Sequence, residues 1–196
     1  TGVGNLSVSV NLIYDHNTNG GTATADATFS GDANHNSSVA TQVSFTIDKR
    51  TLTALIIGNP TKVYDGNTTA TLAAANFSLG NLVPGQAITV TKTAGAYNSK
   101  DVSTANTVST TLASSDFSAG AGTNLNNYNL PASASGAGHI TAKSLVITAD
   151  NKSFLFGTPL ATLTASFNAF ATGEGVGNLT GTLIFTVKDA LNNTVT

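Results

Sequence analysis

The stretch DHNTNGGTATAD, residues 15–26, sets side-chain oxygens at Asp15, Asn17 and Asn19, a glycine at Gly20 and a second carboxylate at Asp26. These are the first, third, fifth, sixth and last places of a calcium-binding loop, which surrounds a hard cation with oxygen ligands. The ideal loop, however, joins two helices and closes with a bidentate Glu. Here alternating segments flank Asn19-Gly20-Gly21, and Asp26 falls on the polar face of one of them. A hairpin turn uses the same residues, so the hairpin is the preferred reading and calcium held by Asp15, Asn17, Asn19 and Asp26 is the alternative. Asp32, Asn34 and Asn36 form a second oxygen-rich turn of the same kind. No other cofactor is implied.

Hydrolysis by paired carboxylates needs two acids close together in different protonation states. The chain has a single Glu, Glu174, in a glycine-rich loop. Its nine Asp fall mostly at turns, where hydrogen bonding to the local backbone accounts for them. His16, His35 and His139 lack the spacing of metal ligands, and the first two sit in polar turns. No serine stands in a G-x-S-x-G elbow. The expectation is a protein that is not an enzyme.

The segments that must position these residues alternate with period two. Ala23, Ala25, Ala27 and Phe29 alternate with Thr and Asp; Val43, Phe45 and Ile47 follow the same rule, as do Ile88 with Val90, Leu163 through Phe167, and Leu183 through Val187. Each presents one apolar face and one Thr-rich face, the pattern of antiparallel strands covered on one side. Turn residues separate them, at Asn19-Gly20-Gly21, Gly31-Asp32, Asp65-Gly66-Asn67, Val83-Pro84-Gly85, Gly120-Ala121-Gly122 and Gly157-Thr158-Pro159. Thr71–Phe77 alone has helical composition, and it is too short for more than a turn of helix in a loop.

Composition narrows the partners. With 40% hydrophobic residues the chain has material for a core, built without Trp, Met or Cys. Ser and Thr supply 50 of the 196 residues and Asn another 21, against eight basic and ten acidic side chains, so the surface is hydroxyl and amide. The scattered basic residues make no patch, which argues against nucleic acid and anionic membranes as partners. No stretch has the length of a membrane span, and any export signal is expected to have been removed or to lie outside these residues. Seven N-x-[ST] sequons occur, beginning at Asn5, Asn36, Asn67, Asn76, Asn151, Asn178 and Asn192, a number that the Asn, Ser and Thr content explains without glycosylation.

Two internal echoes organise the chain. Gly2-Val3-Gly4-Asn5-Leu6 returns as Gly175-Val176-Gly177-Asn178-Leu179, each followed by an alternating run that reaches Asp15 or Asp189. The frame I-x-x-[KR]-[ST]-L occurs at Ile47–Leu52 and at Ile140–Leu145, a spacing of 93 residues between Arg50 and Lys143. That is the length of an immunoglobulin-like sandwich. The fold class expected is all-β: tandem immunoglobulin-like β-sandwiches, one complete at 51–143 and two partial at 1–50 and 144–196.

Residues 51–143 resemble the YDG domain of bacterial surface proteins. The resemblance rests on Lys62-Val63-Tyr64-Asp65-Gly66-Asn67-Thr68-Thr69, on Tyr97–Val102, on Leu125-Asn126-Asn127-Tyr128-Asn129-Leu130 and on His139–Lys143, with Ser103 where the family usually has Gly. Residues 144–196 resemble the opening of an MBG domain through Ile147–Lys152 and Phe156–Leu160, and residues 1–50 resemble the closing part of a related bacterial Ig-like unit through Phe29–Asn36. Tyr64, beside an Asp-Gly turn, is read as a corner ring whose hydroxyl finds a backbone partner rather than as a ligand-stacking ring.

The resemblance implies tandem modules of secreted or surface-anchored proteins. The function expected is therefore a structural repeat of a bacterial extracellular fibre or adhesin, located outside the cell or on its surface. Its partners would be copies of itself head-to-tail, through strand complementation, or neighbouring repeats of the same chain. The alternatives are a carbohydrate- or protein-binding module, recognisable by exposed coplanar aromatic rings, and accessory repeats of a large exported enzyme.

Overall fold

The computed structural model describes residues 11–155, 157–159, 161–188 and 191–194. It is all-β, with no helix beyond single 3-10 turns among the described residues.

The N-terminal alternation forms a four-stranded antiparallel sheet from β1 (Asn11–Asp15), β2 (Gly21–Phe29), β3 (Ser38–Val39) and β4 (Val43–Ile47). β2 is central, with β1 on one side and β3 and β4 following one another on the other. The register sets Tyr14, Ala25 and Val43 in one row and Ala23 opposite Phe45 in the next. Period two therefore gathers their side chains on one face. Ala23 is fully buried there, and the larger side chains stay exposed.

The middle of the chain holds twelve short strands: β5 (Arg50–Thr51), β6 (Thr53–Ile56), β7 (Thr61–Val63), β8 (Thr69–Thr71), β9 (Phe77–Gly80), β10 (Ile88–Val90), β11 (Ala94–Tyr97), β12 (Thr107–Thr111), β13 (Phe117–Ala119), β14 (Tyr128–Asn129), β15 (Ser133–Ala137) and β16 (His139–Thr141). Six of them make a sheet in the order β8-β11-β12-β15-β6-β9, antiparallel except where β15 lies parallel to β6. β10 pairs antiparallel with β13, and β5 with β14 and β7 with β16 pair parallel. The parallel pairs return the end of this region onto its beginning and close it.

One buried cluster fills it, including Ile56, Leu72, Val90, Tyr97, Val108 and Phe117, with Phe77 and Leu125 packed at its margin. Burying each large apolar side chain contributes on the order of 2 kcal/mol against the entropy of ordering the chain. The helical composition at Thr71–Phe77 produces one 3-10 turn, Ala74–Asn76, whose Asn76 Oδ1 accepts a hydrogen bond of 2.9 Å from the Ala73 amide.

After Lys143 the order is sparser. β17 (Val146–Ala149) and β18 (Ala165–Asn168) form an antiparallel pair. The alternation at Leu183–Val187, expected to be a strand, has no ladder among the described residues, where an isolated bridge joins Lys188 to Thr194. The first GVGNL copy lies outside the described residues; the second forms a 3-10 turn at Val176–Asn178. No helix among the described residues is long and apolar enough to cross a membrane.

Candidate functional site

The calcium-like frame is deployed as a hairpin. β1 and β2 run antiparallel on either side of residues 16–20, with Asp15 opposite Thr24 and Asp26 further along, opposite Ile13. The oxygens turn to separate tasks. The Asp15 carboxylate accepts from the His16 amide at 2.8 Å, and that of Asp26 accepts from Gln42 Nε2 at 3.0 Å. Asn19 Oδ1 accepts from Asn127 Nδ2 at 3.0 Å and Asn124 Nδ2 at 3.3 Å. Asn17 lies in the turn between the strands. In the second oxygen-rich turn, Asp32 Oδ1 accepts from the amides of Asn34 and His35 and meets His35 Nδ1, each at 2.8 Å. The Asn34 amide, and then the His35 ring, hold that carboxyl below the usual range.

The contacts of Asn19 bring the hairpin onto the middle region. Gly20 N donates to Asn127 Oδ1 at 2.9 Å, so the turn and the Asn124–Asn127 segment are stapled by reciprocal amide bonds. Beside them a cleft of about 300 Å³ is lined by Ile47, Arg50, Val83, Gln86 and Tyr128 among others. Tyr128 is buried. Its hydroxyl donates to Gln86 Oε1 at 2.6 Å and accepts from the Val83 amide at 3.3 Å.

The other end of the middle region carries the K-V-Y-D-G-N motif. β7 ends at Val63, and the chain turns through Gly66 at φ 84°, a left-handed conformation that favours glycine. The turn is held by Lys62, whose Nζ donates to Asp65 Oδ1 at 2.6 Å, Asn67 Oδ1 at 2.8 Å and the Asn67 carbonyl at 2.9 Å. The same ammonium lies 5.7 Å from the centroid of the buried Tyr97 ring. Lys62 lowers the Asp65 pKa.

Tyr64 is thereby aimed at the C-terminal segment, and its hydroxyl donates to Glu174 Oε1. That bond, and then burial, push the phenol above its ordinary value. The partner is thus a carboxylate rather than the backbone group expected of a corner tyrosine. Lys143 Nζ donates to the Phe170 carbonyl at 3.3 Å, and a cleft of about 310 Å³ opens between Tyr64, Asp101, Val102, Lys143, Phe170 and Glu174. The middle region therefore has a polar junction at each end.

Residues 48–136 match the YDG domain family. A YDG domain is found here. Its matched residues begin with the link before β5 and end within β15, while β16 adds to the same fold by pairing with β7 of the YDG domain. Comparison with curated proteins and with solved structures gives no match for the chain.

Sequence reasoning singled out Tyr64 in the YDG domain and treated Glu174 as a loop residue; the structure joins them. Tyr128 was seen only as part of a motif, although its ring is buried and its hydroxyl has two partners. The ring pair Tyr14 and Phe45 on the N-terminal sheet meets edge to face, at an interplanar angle of 85°, and is not a coplanar platform. His139 lies in β16, opposite Thr61.

Proposed function

We propose that the chain is a structural repeat of a bacterial extracellular fibre, stalk or adhesin, continued head-to-tail by neighbouring repeats. The observation that carries this reading is the uneven distribution of core. The YDG domain buries a cluster of large apolar side chains, although Leu55 and Val63 stay exposed, whereas among the described residues of the segments on either side only Ala23 and Ala171 are buried: Val43 is 64% exposed, Leu155 78% and Ile184 79%. Many uncovered apolar side chains together mark an interaction site, and here they lie on both flanks of the YDG domain. The resemblance of 1–50 and 144–196 to the end and the beginning of related Ig-like and MBG units supports the same reading, as does a surface rich in hydroxyl and amide groups.

A contact between the end of one repeat and the start of the next is heterologous. It propagates without closing and builds a filament. The link is either covalent, within a longer tandem chain, or between subunits by strand addition. Light scattering and electron microscopy on the 1–196 polypeptide test the non-covalent form. Elongated species that grow with concentration and vanish when 144–196 are removed are expected. A strictly monomeric chain with both flanks protected from protease would overturn it.

A further inference from the structure

The two flanks carry complementary parts of the sheet that the YDG domain completes alone. In that domain β6 pairs with β9, Thr53 opposite Gly80 and Ile56 opposite Phe77. After the 93-residue step from Arg50 to Lys143, β17 pairs with β18 in the same register, Val146 opposite Asn168 and Ala149 opposite Ala165. The likeness extends beyond the strands. The Ile57 amide donates to the Asn76 carbonyl at 2.8 Å, and the Asp150 amide donates to the Thr164 carbonyl at 2.9 Å. Asn81 and Gly85 have φ of 66° and 83°, and Ala169 and Gly173 have 73° and 82°. Gln86 N donates to the Val83 carbonyl at 3.0 Å and Glu174 N to that of Ala171 at 3.1 Å. Glu174 therefore occupies the place of Gln86.

The N-terminal sheet matches the remainder. Its row Tyr14, Ala25, Val43 across β1, β2 and β4 has the register of Tyr97, Val108, Gly136 across β11, β12 and β15. In the YDG sheet the free side of β15 is taken by β6 in parallel, Ser135 beside Leu55. The corresponding sides of β4 and β17 carry no strand among the described residues.

We infer that β17 of one copy pairs in parallel with β4 of a second copy, setting Thr148 beside Gln42 and making the order β1-β2-β4-β17-β18 across two repeats. This rests on the reading of the chain as a repeat continued by its neighbours, and names the surface through which it is continued. Register supports the second copy as occupant. His35 precedes Ile47 by as many residues as Tyr128 precedes Ile140. The bond that Tyr128 makes to Gln86 inside the YDG domain becomes, across the seam, a contact of His35 with the Glu174 carboxylate. Tyr64 already uses Glu174 Oε1, and the second oxygen serves His35. The mismatch is Val43 in the place of Gly136, so the two strands part from Val43 onward and the close pairing is confined to Gln42 beside Thr148, as it is to Ser135 beside Leu55 in the YDG sheet.

The chain contains no cysteine, so the seam can be read with two. Chains carrying Gln42→Cys and Thr148→Cys, one of them size-tagged, are mixed under mild oxidation at concentrations where light scattering shows association. Paired strands lie about 4.8 Å apart, within reach of a disulfide. A heterodimer is expected, with severalfold lower yield when Ser166→Cys replaces Thr148→Cys. Association with equal yields from both pairs, or with no heterodimer, overturns the seam while leaving the repeat reading intact. Absence of association at every concentration overturns both for separate subunits. Glu174→Lys in the Thr148→Cys chain should cut the yield severalfold, and His35→Glu in its partner should restore it. Failure of that rescue refutes the His35 contact.

Discussion

The hydroxyl of Tyr64 hydrogen-bonds the carboxylate of Glu174, 110 residues further along the chain. It ties the YDG turn to the C-terminal segment, so Tyr64→Phe should free that segment without disturbing the domain behind it. Protease cleavage within 145–188 is expected to rise severalfold, with the main melting transition unchanged. A raised phenol pKa contributes stability that is fully present below the unfolded value, about 10, and is lost as pH rises through the folded one. Absorbance titration of the parent chain against Tyr64→Phe should therefore place this phenol above about 10. A midpoint at or below the ordinary value would show that the contact does not form in solution.

Acid should loosen the fold through several turns together. Hydrogen bonds hold four carboxyls below their usual range: from Lys62 to Asp65, from the Ala113 amide to Asp116, from the Ser166 and Thr164 hydroxyls to Asp150, and from the Asn34 amide to Asp32. A depressed carboxyl contributes stability that is present above the unfolded pKa, about 3.9, and is lost as pH falls through the folded value. The melting temperature should hold from neutrality to about pH 5 and decline below about pH 4. Asp116→Asn should lower the neutral melting temperature and shrink the acid decline. A melting temperature constant to about pH 2 would contradict this.

Much of the strand content was legible because its signal is local. Alternation at Ala23–Phe29 and Val43–Ile47 marked β2 and β4, and Thr71–Phe77 was too short for more than a single helical turn. The run Leu183–Val187 has the same alternation without a ladder among the described residues, because a strand also needs a neighbour and the pattern does not name one. The alternation and turn residues suggested antiparallel strands throughout. They could not announce that β15 lies parallel to β6, or β16 to β7, since those pairings join residues far apart in the chain. Glu174 was missed for the same reason: one carboxylate in a glycine-rich loop has no pattern until Tyr64 is brought to it.

Tyr128 should matter more to the stability of the YDG domain than the motif tyrosine. Its ring is buried, and its hydroxyl both donates to Gln86 and accepts from the Val83 amide. Tyr128→Phe keeps the ring and removes both bonds. The expected loss is about 1–2 kcal/mol, measured by urea unfolding of the full chain. Gln86→Ala in addition should cost little more, because the two changes remove one interaction. Additive losses would show that the bond between them is not the source.

The parallel seam within the YDG sheet depends on the absence of a side chain at Gly136. A Cβ there would lie 1.9 Å from the Ile56 carbonyl oxygen and 2.7 Å from its carbon, which is backbone and cannot swing aside. β15 and β6 touch through a short ladder, Ser135 beside Leu55, so the sheet has little hydrogen bonding there with which to resist being pushed apart. Gly136→Ala should destabilise the domain by about 1–3 kcal/mol through overpacking, and Gly136→Val by more. Gly122→Ala is a useful contrast. Its Cβ would meet nothing within 4 Å, but φ is 72°, so its cost comes from backbone strain alone. That cost should be about 1 kcal/mol. If chemical denaturation gives Gly136→Ala a loss no larger than that of Gly122→Ala, the two strands do not approach as closely in solution as their register requires.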